Sequence, residues 1–196
     1  MRTLLRPALA VVGLSTLLLG LAAPLAFTAI AGLAFPRQAG GSLVERDGSV
    51  VGSVLIGQDF TGDRWFHPRP SATTAPDPDK EGATRASPYN AAASGASQLG
   101  PTSAALLEAV EARVAAFGGG RPVPADAATA SGSGLDPHIS PDNAARQVAR
   151  VAAARGLPEA QVAELVARHT ESRAFGLLGE PRVNVLRLNL ALDGPR

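Results

Sequence analysis

The chain has 196 residues, 45% of them apolar, 4% aromatic and 18% charged, with 21 Gly, 16 Pro and no Cys. Without cysteine it is neither a disulfide scaffold nor a zinc-finger, iron–sulfur or thiol-redox protein, and its three histidines, at 67, 138 and 169, lack the spacing of a transition-metal site. Eighteen basic residues against 17 acidic ones leave no basic field for nucleic acid, and the sole lysine, Lys80 between Asp79 and Glu81, excludes a Walker A loop.

Pro7 to Pro36 is a run of thirty residues without a charge, bounded by Arg6 and Arg37. A bilayer core needs roughly 20 helical residues, and a backbone in lipid must satisfy its own hydrogen bonds. The run therefore predicts one transmembrane helix over about residues 9–31, with residues 1–36 as a cytoplasmic tip plus anchor and residues 37–196 as an extracytoplasmic body. Pro24 should bend this helix. Arg2, Arg6 and the terminal amine place the N-terminus inside by the positive-inside bias. Ala29-Ile30-Ala31 offers the alternative of a cleaved signal peptide, but the apolar run is about twice the usual length of a signal core, which favours a retained anchor. Gly13, Gly20 and Gly32 are notches through which neighbouring helices could approach.

In the body, residues 43–56 read as a hairpin, because Leu43-Val44 on one side and Val50-Val51 with Val54-Leu55-Ile56 on the other flank the turn former Asp47-Gly48. Residues 67–101 hold six prolines and no apolar period, yet Trp65, Phe66 and Tyr89 stand in or beside them. Large aromatics favour burial, so this stretch is expected to be ordered, irregular and wrapped on the core. Three helices follow. The first is capped by Thr102, carries Leu106, Val110, Val114 and Phe117 on one stripe, and stops at Gly118-Gly119-Gly120. The second opens at Ser140-Pro141-Asp142, turns Ala144, Val148 and Val151 inward and ends at Gly156. The third begins at Pro158 and aligns Val162, Leu165, Val166 and His169. Arg182 to Asp193 alternates with one slip of phase, the pattern of a strand with a β-bulge. The fold class is α+β: one N-terminal transmembrane helix, then a small sheet with about three helices packed on it.

The most site-like stretch runs from Thr129 to Pro141, where Ser133, Asp136 and His138 supply the residue types of a nucleophile, an orienter and a base. No G-x-S-x-G elbow accompanies them, and Asp136-Pro137 with Ser140 equally make a turn and a helix cap. Glu108 and Glu111 lie one turn apart on a solvated face. His67, before Pro68, suits an extended turn, and His169 suits a hydrogen bond to terminal helix carbonyls. Gln147, flanked by Arg146 and Arg150, is placed either to present its amide to a ligand or to bond a loop. No catalytic set assembles from these residues, which points to a membrane-anchored accessory subunit.

Several ordered motifs carry a resemblance. Gly52-Ser53-Val54-Leu55-Ile56-Gly57-Gln58 with Phe60, Trp65-Phe66-His67-Pro68-Arg69-Pro70-Ser71-Ala72, Tyr89-Asn90, Leu99-Gly100-Pro101, Pro122-Val123-Pro124, the Ser131-to-Pro141 run, Arg150-Val151-Ala152, His169-Thr170 and Leu178-Gly179-Glu180-Pro181-Arg182-Val183-Asn184-Val185-Leu186 resemble the C subunit of the bacterial Kdp-type potassium-transporting ATPase. One departure is visible: the family's Ser-Gly-Gly-Ser-Asn-Leu-Gly stretch has Ala96 and Gln98 here. The resemblance implies a non-catalytic subunit of a high-affinity, ATP-driven potassium pump, at the plasma membrane, acting as a catalytic chaperone that raises the ATP affinity of the ATP-hydrolysing subunit. Its implied partners are that subunit, the potassium-translocating subunit and a small membrane subunit. No covalent cofactor is implied, and ATP enters through the complex. If the body touches ATP itself, Gln147 is the expected contact, because a helix start and glycine turns offer N–H groups to phosphate. An outer-mouth stabilising or gating role on the potassium-translocating subunit is the alternative, and an anchored Ser/His/Asp hydrolase is the alternative of another class.

Overall fold

The computed structural model describes residues 2–118 and 122–194, so that Gly119 and Gly120 of the expected helix stop lie outside it. The chain forms two compact units, Met1–Val51 and Gly52–Arg196.

In the first unit, α1 (Arg2–Leu17), a π-helical turn (Leu18–Ala22) and α2 (Ala23–Ala34) run on as one apolar helix from Thr3 to Ala34, 32 residues in all. At about 1.5 Å per residue that is some 48 Å of helix, more than the roughly 30 Å of a hydrocarbon core. Its Leu, Val and Phe side chains are exposed along the whole length. The π turn is the local response to Pro24: proline cannot donate to Gly20, and the turn widens so that the Ala23 N–H reaches back five residues to Leu18 O. A short α3 (Pro36–Ala39) leads through Gly40-Gly41 into the hairpin of β1 (Leu43–Arg46) and β2 (Ser49–Ser53). Asp47 and Gly48, at φ +51° and +74°, occupy the two left-handed positions that a tight hairpin turn requires. At the start of the second unit, the expected third apolar run, Val54 to Ile56, forms a turn bridged from Ser53 to Ile56 rather than more strand.

In the second unit, the irregular stretch after Trp65 is ordered and contains one small hairpin, β3 (Thr74–Pro76) with β4 (Thr84–Ala86). Helix α4 (Ala104–Ala116) starts after Ser103 rather than Thr102, and α5 (Ala125–Ala128) is a single turn. Helix α6 (Pro141–Arg155) matches its sequence signals: the Ser140 hydroxyl accepts the Asn143 N–H, Pro141 opens the first turn, and Gly156 at φ +65° takes the left-handed position that ends it. Helix α7 (Glu159–Arg168) packs beside it. Strands β5 (His138–Ile139), β7 (Arg182–Asn184) and β6 (Thr170–Glu171) form an antiparallel sheet in the order β5-β7-β6. The core joins Phe66, Ile139, Ala144, Val148, Val151, Val162, Val166, Val183, Val185 and Leu188, so that helices, sheet and the Phe66 segment share one interior. The class is α+β.

The C-terminal strand is where the sequence expectation fails. Only Arg182–Asn184 is strand; Val185–Leu192 is a helix, α8. The phase slip after Val185 marks a change of period from 2 to 3.6, not a bulge. Read helically, Val185, Leu188, Asn189 and Leu192 fall on one face, and the Asn184 side chain caps the new helix by accepting the Arg187 N–H at 3.1 Å.

Candidate functional site

The extended segment from Trp65 to Ser71 is held to the helices by side-chain amides rather than by a strand. Asn189 on α8 accepts the Phe66 N–H through Oδ1 at 2.9 Å and donates through Nδ2 to the Phe66 carbonyl at 3.0 Å. Gln147 on α6 repeats the arrangement one residue later: its Oε1 accepts the His67 N–H at 2.7 Å and its Nε2 donates to the His67 carbonyl at 3.1 Å. Two consecutive residues thus have their backbone groups satisfied by two buried amides from two helices. Each amide imitates the neighbouring strand that the segment lacks, which answers the need of a buried backbone to pair every N–H and C=O.

The remaining capacity of the Gln147 amide is also used. Nε2 donates to Asn143 Oδ1 at 2.9 Å and Oε1 accepts from Arg150 at 2.7 Å. A primary amide has two donors and two acceptor lone pairs, so all four are engaged within the chain. Asn143 in turn donates to Asp126, whose carboxylate also accepts the Ser140 N–H and hydroxyl at 2.7 and 2.8 Å. The flanking arginines are bound to loops. Arg146 donates to the Pro122 carbonyl and lies over the Phe117 ring, and Arg150 donates to the Asp63 carbonyl. Burial lowers the pKa of Arg150, partly offset by Asp63.

The Ser133, Asp136 and His138 set does not come together as a triad. The Ser133 hydroxyl takes the Leu135 N–H at 3.1 Å. Asp136 accepts the His138 N–H at 3.0 Å, faces the His138 ring at 3.4 Å, and accepts from Arg69 at 2.9 Å. Burial pushes the Asp136 carboxyl up, but the hydrogen bonds from His138 and Arg69 outweigh it and hold its pKa at about 2. The Tyr89 hydroxyl donates to the Arg69 carbonyl at 2.8 Å, and burial, then the Asp136 charge, raise its pKa. An ionised Asp136 and a protonated Tyr89 across the neutral range make a fixed polar joint, not an acid–base pair. Gly57 is pressed into that joint: a Cβ there would stand 2.3 Å from the Tyr89 ring and 2.7 Å from the Asp136 carbonyl.

The other candidates stand apart from these groups. Glu108 and Glu111 are exposed on α4. The His169 ring bonds the Leu165 carbonyl at the end of α7, and the His67 ring bonds the Gly62 carbonyl. In the loop of the family departure, the close approach is made by Gly95, whose N–H donates to the Ser133 carbonyl at 2.9 Å, while Gln98 sits at φ +53°. An open cleft of about 510 Å³ is lined by Phe60, His67, Arg69, Tyr89, Arg113 and Phe117, with Gln147 at its wall. Asn189 went unnoticed in the sequence because in a strand it would point away from the core. The Asn184 cap was the signal that could have placed it.

The family described as K+-transporting ATPase, c chain matches residues 5–194. A protein of Methylobacterium nodulans called potassium-transporting ATPase KdpC subunit is 62% identical over 192 residues, 96% of both chains. Proteins of the same name are 59% identical over 191 residues in Methylorubrum extorquens, covering 96% of this chain and 95% of that one, and 56% identical over 195 residues in Rhodopseudomonas palustris, covering 98% of each. With residues 5–194 matched by the family and relatives more than half identical over nearly its whole length, this chain belongs to the family of C subunits of the potassium-transporting ATPase.

Proposed function

We propose that the chain serves a high-affinity potassium pump as a non-catalytic accessory subunit, anchored in the plasma membrane by one N-terminal helix with its N-terminus inside and its body outside. Its work is to stabilise the complex of potassium-translocating, ATP-hydrolysing and small membrane subunits, and to raise the ATP affinity of the hydrolysing subunit. The observation that carries the non-catalytic part is the saturation of the polar groups: Gln147, Asn143, Asp126 and Asp136 are all spent on holding loops to helices. Gln147 remains the residue through which a direct nucleotide contact would run, and such a contact requires exchange of one of its four internal bonds. The four internal bonds of Gln147 favour an ATP effect transmitted through assembly over a nucleotide held on the body.

A second reading, action at the outer mouth of the potassium-translocating subunit, is supported by the charge bias of Arg2 and Arg6, which puts the body on the side opposite cytoplasmic ATP. Both readings are tested by assaying the pump with and without the chain. Loss of ATP affinity on its removal, restored as fully by a folded Gln147→Ala variant as by wild type, supports transmission through assembly. A changed potassium dependence at constant ATP affinity supports the outer mouth. Restoration of ATP affinity by wild type but not by a folded Gln147→Ala variant means that the contact is direct.

A further inference from the structure

The π turn in the apolar helix leaves one carbonyl without a donor. In an α-helix the Leu19 carbonyl would take the Ala23 N–H, and in a π turn it would take the N–H of residue 24. Here the Ala23 N–H goes to Leu18, and residue 24 is Pro24, which has no N–H. The turn that serves the Leu18 carbonyl therefore strands its neighbour. The chain's own side chains offer no substitute. A helix carbonyl points toward the C-terminus, and residues 20–27 on that side are Gly, Leu, Ala, Ala, Pro, Leu, Ala and Phe, none with a side-chain donor. Ser15 and Thr16 lie on the other side and lean toward the N-terminus, and Thr28 is more than two turns on. Among the described residues no donor is left for Leu19.

Leu19 also sits at the middle of the Thr3–Ala34 helix, roughly 22–24 Å from either end. In the membrane placement proposed above, that is the centre of the hydrocarbon. Water and headgroups do not reach it, acyl chains donate nothing, and an unsatisfied backbone group there is costly. The backbone beside it is open to approach. Gly20 has no side chain, a Cβ built there would meet only Thr16 Cγ2 at 3.8 Å, and Ala22 and Ala23 add little bulk. Small residues of this kind let a second helix come close. A second copy of this chain running parallel would bring the same donor-free residues to that depth, so the donor belongs to a different chain.

We infer that the Leu19 carbonyl is an assembly site inside the membrane, accepting a hydrogen bond from a hydroxyl or amide side chain on a transmembrane helix of another pump subunit packed against Gly20 and Ala23. This rests on the accessory-subunit reading and names a contact through which the anchor takes part in assembly. Pro24 creates the acceptor and the small residues around it admit the donor, so a helix built only of apolar side chains does not fit the site.

The test uses the full chain in lipid, alone and assembled in the pump, with the Leu19 carbonyl isotopically labelled so that its infrared band stands apart. The band is expected to lie at the frequency of a free carbonyl in the chain alone and to move to lower frequency on assembly. Two variants remove the need for a partner. Ala23→Ser keeps Pro24 and sets a hydroxyl four residues after Leu19, where it bonds back to the same carbonyl. Pro24→Ala returns an N–H to the turn. Each should weaken association with the other subunits by about fivefold to thirtyfold. Ala31→Ser, in the regular part of α2, should leave association unchanged. A Leu19 band unmoved by assembly, or full association of Ala23→Ser, overturns the site while leaving the subunit reading in place. Weakening by Pro24→Ala alone does the same, because it assigns the effect to the bend. Failure of the wild-type chain to co-purify with any pump subunit overturns both.

Discussion

Asn189 and Phe66 are 123 positions apart, and the Asn189 amide closes both backbone groups of Phe66 at 2.9 and 3.0 Å. Phe66 is fully buried and Asn189 is 1% exposed, so neither the Phe66 N–H nor its carbonyl has water to fall back on. The aromatic ring that seals the core is thus fixed by a polar side chain on the last helix. An orphaned buried donor or acceptor costs about 1–3 kcal/mol, and removing the amide orphans two groups.

Asn189→Ala is therefore expected to lower the unfolding free energy by about 2–5 kcal/mol. Asn189→Asp keeps the acceptor but loses the donor and should be similarly damaging near neutral pH, because an ionised carboxylate would face the Phe66 carbonyl. Chemical denaturation of the full chain in detergent, monitored by Trp65 fluorescence, measures both.

The same logic applied to α6 makes Gln147→Glu an informative change. The carboxylate still accepts from the His67 N–H and Arg150 but cannot donate to the His67 carbonyl or to Asn143. A stability loss of about 1–3 kcal/mol at neutral pH is expected, relieved in part as the pH falls and the new carboxyl takes up a proton and regains a donor. A loss that grows on acidification would contradict the double-amide account.

Much of this fold could be read in the sequence, and the parts that could not have physical causes. The apolar helix, the Asp47-Gly48 turn and α6 announce themselves because their signals are local: a charge-free run, a turn dipeptide, a cap with proline behind it. The segment after Trp65 was expected to be ordered on its aromatics alone, and it is. The reading of Gln147 as a residue that bonds a loop matches the geometry, but the partners of the two amide clamps could not be foreseen, because they lie on backbone 80 and 123 positions away. Helix α8 was hidden by its leucines, which satisfy strand alternation and helical spacing equally well. Of the site candidates, the bland readings of His169 and Ser140 match the geometry, as a helix-end hydrogen bond and a cap.

Asp136 gives the body an acid-sensitive joint. Its carboxyl is held at about 2, below the ordinary 3.8, by His138 and Arg69. A lowered folded-state pKa contributes stability that is present above the unfolded value and is lost as pH falls through the folded one. Stability should therefore hold above about pH 4 and decline by up to about 2 kcal/mol between pH 4 and 2 on account of this group. Asp136→Asn should lower stability at pH 7 and flatten that part of the profile, which denaturation at a series of pH values would check.

Gln98 occupies a left-handed position, φ +53°. Asparagine tolerates that region better because its short polar side chain bonds locally. Gln98→Asn is expected to stabilise the body by about 0.5–1 kcal/mol without changing its association with the pump. Differential scanning of the two proteins decides it, and an unchanged or lower midpoint would mean that the loop carries no strain.

The central claim is that this chain acts as a non-catalytic subunit of a potassium pump, and isolation of the pump from membranes through a tag on this chain tests it most directly. The expected result is a complex containing two larger membrane subunits with potassium-stimulated ATP hydrolysis that falls when the chain is stripped away, while the chain alone hydrolyses nothing. Recovery of the chain by itself, or a pump whose potassium-stimulated activity and ATP affinity are the same without it, would contradict the claim.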